Sequence, residues 1–277
     1  MGSRKTASMS RPAFSIFAQQ YLLALLNGFG TVYLNEPIPR DANLRIFKLP
    51  SRFNWGTEYL KEITHGDNRV MISPEVIGEA ELVDILFEPN SQKSRTSLGL
   101  LGEFLSVPCI IEILRWAPNV WELQNCLRHC LTWKSEASES IMNANETSVE
   151  TSEACSDVRE EIDKTLLIIV PSIASQHLQG FAARRDMNIS GIYHFAPAFC
   201  TSIVVTSELP KNASTLWLRL LGRGPTQRAA IMELIALDDN HPHCTVVQQQ
   251  LREWYQLLSN NQMFNEGKLL MQTLASI

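Results

Sequence analysis

The sequence lacks most of the marks of secreted, membrane and metal-cluster proteins. Its longest apolar runs, such as L-L-I-I-V-P at 166–171, fall far short of the ~20 residues that a membrane-spanning helix needs, so no membrane contact is expected. Residues 1–13 carry charge but no apolar h-region, so no secretory signal is expected. The six cysteines contain no C-x-x-C pair, which argues against a zinc module and for reduced thiols in a cytoplasmic protein. No internal repeat is visible. Charged residues make up only 19%, and the formal net charge of −5 counts at first against a polyanionic partner. What is abundant is apolar side chain, 45% of 277 residues, enough for one large or two small globular domains.

The acidity is concentrated. Residues 135–163 hold nine acids, one base and few large apolar side chains, the composition of a flexible linker or long loop; a solvated acidic helix is the alternative, chiefly for its last third. The segment carries −8, against +1 for 1–134 and +2 for 164–277. The folded remainder is therefore near neutral, and any polyanion site must be local.

Apolar periodicity predicts a helix over 12–27, closed by N-G, and strands at 69–73 and 80–87, with 31–68 irregular. A short helix follows at 98–105 and a strand at 107–114. Asn119 and Glu122 form a capping box opening a helix over 120–133, with Val120, Leu123, Leu127 and Leu131 as its buried stripe. Beyond the acidic segment come a strand at 166–170, a helix at 172–185, short strands at 192–195 and 202–206, and helices from 214 onward, one starting at Pro225. Alternating strands and helices predict an α/β fold with helices packed on a mixed sheet. The last 60 or so residues read as a helical cap.

Two acids stand inside strongly apolar strands, Asp84 in A-E-L-V-D-I-L-F and Glu112 in V-P-C-I-I-E-I-L. A buried carboxylate needs a cation, a metal or donors nearby. On neighbouring strands the two would converge into a Mg²⁺ site able to activate water for phosphodiester cleavage. The alternatives are that they end their strands facing solvent, or pair with Arg115. Glu79 and Glu81 could add ligands.

The segments V-M-I-S-P-E-V-I-G-E-A-E-L-V-D-I-L-F, L-G-L-L-G-E-F-L-S-V-P-C-I-I-E-I-L-R and W-E-L-Q-N-C-L resemble the cyanobacterial branch of the Rpn-like recombination-promoting nuclease/putative transposase family. So do L-L-I-I-V-P-S, L-Q-G-F, G-I-Y-H-F, T-S-I-V-V, T-L-W-L-R-L-L-G-R-G and Q-R-A-A-I-M-E-L-I-A-L further on. The resemblance covers about 12–30 and 69–258 in the same order. It implies the PD-(D/E)XK superfamily, with a restriction-endonuclease-like mixed central sheet flanked by helices. The core would then comprise 12–134, with 31–68 as an insertion, and 164–210, followed by a helical extension at 211–277. It implies Mg²⁺ as cofactor and DNA as partner; the sequence leaves the oligomeric state open, a homodimer being one alternative. Asp84 matches the motif aspartate, Glu112 the motif glutamate, and Glu79 an acid that often precedes the aspartate. The motif lysine position is Leu114. The next residue, Arg115, should point to the opposite strand face and cannot act as a base. Gln19 and Gln20 stand where an acid is common, and His129 where relatives tend to carry lysine. The residues expected to orient water or contact phosphate are Gln124 and His129, with Arg115, Arg128, Arg219, Arg223 and Arg228 as nucleic-acid contacts. The missing lysine motivates a second expectation, a catalytically silent relative that binds nucleic acid or a protein through the same fold.

The G-R-G-P loop at 222–225 reads either as a phosphate cradle or as a glycine stop followed by a proline helix start. Trp217 and Cys109 are expected in the core, and H-P-H-C at 241–244 in a loop.

Overall fold

The structure, a computed structural model, describes residues 3–37, 82–146, 165–237, 241, 243–260 and 273. The expected strand at 69–73, most of the segment 31–68, and Glu79 and Glu81 lie outside these residues.

Helix α1 (Ser3–Leu26) buries Phe14, Phe17, Ala18, Tyr21, Leu22 and Leu25, spaced three and four apart on one face. Gly28, at φ +92°, turns the chain. Strand β1 (Gly30–Pro37) then pairs antiparallel with β2 (Leu82–Pro89). Residues 31–37 are therefore strand and not irregular chain. Gly30 is required there, because a Cβ would fall 2.1 Å from the Glu88 carbonyl oxygen and 2.8 Å from the Phe87 ring.

A one-turn helix, α2 (Leu100–Phe104), leads to β3 (Cys109–Ile113), antiparallel to β2. Helix α3 (Val120–Glu146) crosses over to β4 (Thr165–Val170), parallel to β3. The capping box forms as expected. Asn119 N–H donates to Glu122 Oε2 and Glu122 N–H to Asn119 Oδ1, both at 2.9 Å. The helix continues through Glu146, so the first part of the expected acidic linker is helical. Its buried stripe also differs from expectation. Val120 and Leu131 are exposed, while Leu123, Cys126, Leu127 and Cys130 are buried.

The expected helix over 172–185 shortens to α4 (Ser175–Gly180). Ala182 adopts φ +50°, and Arg184–Arg185 forms an edge strand, β5. Strands β6 (Ile192–His194) and β7 (Thr201–Val205) complete one seven-stranded mixed sheet ordered β1-β2-β3-β4-β7-β6-β5. Helices α5 (Leu216–Leu220), α6 (Pro225–Ile235) and α7 (Cys244–Asn260) follow.

The sheet is covered on both faces, which explains the near-continuous apolar runs of β3 and β4. Ile111, Ile113, Leu167 and Ile169 join the core made with α1 and α5–α7, whereas Ile110, Leu166, Ile168 and Val170 face α3. The C-terminal helices share the α1 core, and Trp254 stacks on Phe17 at 4.3 Å. Trp217 is buried and donates to the Ser97 carbonyl. Among the described residues no helix is long and apolar enough to cross a membrane.

Candidate active site

The antiparallel register of β2 and β3 pairs Ile85 with Ile111 and Leu86 with Ile110. Extended by one residue, it sets Asp84 opposite Glu112, and directly opposed residues share a face. The two carboxylates meet. Asp84 Oδ2 accepts the Ile113 N–H at 3.1 Å, while Glu112, 6% exposed, lies with Oε1 3.0 Å from Nδ1 of His129 on α3. Both acids border a cavity of about 270 Å³, with Phe14, Ser15, Leu114, Trp116 and the cap residue Glu122 also on its wall.

Burial pushes the Asp84 carboxyl up to about 7. The Glu112 charge adds to this, the Ile113 N–H opposes it, and a side-chain hydrogen bond with Glu112 raises it further against the His129 charge. Near neutral pH Asp84 is thus poised to hold its proton or to give it up to a cation. Cys126, on the α3 face toward these acids, has its thiol pushed well up by burial and then by the Glu112 and Asp84 charges. It stays protonated. Across the sheet, Gln19 donates to Asn35 Oδ1 at 2.8 Å and to the Asp84 carbonyl at 3.4 Å, tying α1 to the strand that carries the aspartate.

The other expected residues divide. Leu114 is half-buried and packs toward the α3-side core. Arg115 does point to the opposite face. It is 6% exposed, with its guanidinium 4.3 Å from the Phe14 ring centre and 5.6 Å from that of Trp254. It donates to the Gly222 carbonyl at 2.8 Å and to Gln227 Oε1 at 3.3 Å. Arg219, 1% exposed, forms a two-pronged ion pair with Glu233 and also donates to Thr215 Oγ1 and the Asn212 carbonyl. Both arginines hold helices together, and Arg115 also lies on the wall of the cavity beside the two acids. Gln124 and Arg128 are exposed on α3, Arg128 donating to Asn125 at 3.4 Å, and neither borders the cavity. Arg228 is half-buried on α6. Arg223 is exposed and stacks on Trp116.

Sequence reasoning missed Trp116, Phe14, Ser15 and Cys126 as neighbours of the acids. Only the position of Trp116 just beyond the β3 acid could have signalled it. Among the described residues no group of three or more His, Cys, Asp or Glu is arranged to hold a metal ion. The pair therefore offers two protein ligands.

No family model, no curated protein and no solved structure matches this chain.

Proposed function

We propose that this protein is a Mg²⁺-dependent DNA endonuclease with a restriction-endonuclease-like version of its α/β fold. The meeting of Asp84 and Glu112 at one cavity is the observation that carries the reading. Burial penalises both charges and each acid repels the other, and a divalent cation would offset both costs. Two carboxylates suit Mg²⁺, which keeps several waters and takes phosphate oxygens from its substrate. Acids on adjacent strands are also what the resemblance to the Rpn-like family implies.

When bound, Mg²⁺ would polarise the scissile phosphate and lower the pKa of a bound water. The protein's own part is to hold the two acids. The Ile113 N–H fixes one Asp84 oxygen, and His129 fixes Glu112 from α3. Leu114 supplies no proton acceptor, so proton removal from water rests on these acidic groups or on solvent. The same leucine favours the second reading, a catalytically silent protein that binds DNA without cutting it.

Nicking of supercoiled plasmid separates the two. In Mg²⁺ the wild type should nick, and Asp84→Asn and Glu112→Gln should each lower the rate by about 100-fold or more, as expected for loss of a metal ligand. Equal nicking by all three overturns the assignment. Salt-sensitive DNA binding with no nicking supports the silent reading.

A further inference from the structure

A wall residue of the cavity beside Asp84 and Glu112 carries a cation from a distant part of the chain. Trp116, in the turn after β3, is part of its wall, and the Arg223 guanidinium sits 3.4 Å from the centre of the Trp116 ring. That distance is direct contact with the ring face. Arg223 belongs to the turn between α5 and α6, and this turn is tied to the end of β3 a second time, by the Arg115 hydrogen bond to the Gly222 carbonyl at 2.8 Å. Arg223 is nevertheless exposed. Apart from the indole contact, its guanidinium makes no hydrogen bond or ion pair among the described residues.

We propose that Arg223, held against Trp116, is the phosphate-binding residue of this cavity, gripping a phosphodiester of the DNA strand whose neighbouring phosphate reaches Asp84 and Glu112. The inference rests on the nuclease reading for the identity of the polymer. The carboxylates on the cavity wall suit a cation, and the guanidinium held against the wall residue Trp116 suits an anion. A metal ion and a phosphodiester together present that pair of charges. The stack on the indole fixes the plane of the guanidinium, so less side-chain freedom is lost when its paired N–H groups grip two phosphate oxygens. Lysine could neither stack nor form that fork. Arg223 brings a cation from another element to the wall residue Trp116, whereas Arg115 on that wall donates to the Gly222 carbonyl and to Gln227.

The test is binding of the full chain to a fluorescently labelled DNA duplex in metal-free buffer over a range of salt concentrations, beside plasmid nicking in Mg²⁺. Arg223→Ala should weaken binding about tenfold, in the range of a charge-assisted phosphate contact, and should lower the slope of log affinity against log salt by about 1. Thermal unfolding should be unchanged, since the residue is exposed. Arg223→Lys should recover only part of the affinity. Trp116→Ala should weaken binding in the same direction and add little in the Arg223→Ala background, because both remove one arrangement. An Arg223→Ala protein with wild-type affinity and slope overturns the proposal, and an Arg223→Lys protein that binds as tightly as wild type overturns the stacked fork. If Arg223→Ala weakens binding but no form nicks DNA, the nuclease reading falls and the phosphate site stands. If Asp84→Asn abolishes nicking while Arg223→Ala changes nothing, the reverse holds. A wild type with no DNA affinity at low salt overturns both.

Discussion

Asp84 is the side chain furthest from its ordinary chemistry, and the displacement has a definite sign. Its folded-state pKa, near 7, lies above the ~3.9 of an unfolded aspartate. Below about pH 4 the group is protonated in both states and alters stability little. Between about pH 4 and 7 the unfolded chain gives up the proton and the folded chain keeps it, so this group makes stability fall as pH rises, by at most ~1.4 kcal/mol per pH unit. Above pH 7 the loss is complete. Asp84→Asn keeps an oxygen for the Ile113 N–H and gains an amide that can donate to Glu112. We expect it to raise the unfolding temperature at pH 8 in metal-free buffer and to leave it nearly unchanged at pH 4. A lower unfolding temperature at pH 8 would show that the aspartate is not under the strain assigned to it. At this scale the two acids were legible, because a carboxylate inside an apolar strand is conspicuous. The fates of Arg115 and Arg219 were not, since each depends on partners distant in sequence: Phe14, Trp254 and Gly222 for one, Glu233 for the other.

Among the elements, α3 shows what local sequence can and cannot convey. Its start was legible because the Asn119 and Glu122 exchange is a local geometry with its own residue signature. Asn119→Ala should cost about 1 kcal/mol, read as a lower denaturant midpoint with unchanged slope. A neutral substitution would mean that water replaces the cap at no cost. The buried stripe was misread, because Cys126 and Cys130 behave as small apolar residues while Val120 and Leu131 face solvent. Composition alone points to a linker from 135 onward, yet glutamate and alanine are good helix formers that can prolong to Glu146 a helix already nucleated and packed upstream. Strand β1 was missed for the opposite reason. Its T-V-Y-L suits a strand, but it is short and lies between N-G-F-G and the Asn, Glu and Pro that follow, and pairing with β2 supplies the order.

For the whole molecule, the alternation of strand and helix was enough to give an α/β fold with a mixed sheet, but not the sheet order or the packing of α7 on α1. Those arrangements decide the site, because α1, β2, β3 and α3 converge on one cavity and the Arg115 contacts lock α6 and α7 onto the same corner. A cation bound there would bridge two strands and favour the native state as a unit. A ligand at 100 times its dissociation constant stabilises the fold by about 2.7 kcal/mol, several degrees for a chain of this size. Binding must also displace the proton that Asp84 holds below about pH 7, so metal affinity should fall as pH drops through that value. We therefore expect millimolar Mg²⁺ to raise the unfolding temperature clearly at pH 8 and only weakly at pH 6. Asp84→Asn should remove the Mg²⁺ response at both pH values, whereas Arg223→Ala should retain it. A Mg²⁺ response that is identical in wild type and Asp84→Asn would place the ion elsewhere, and the buried aspartate would then have to be explained by its own proton alone.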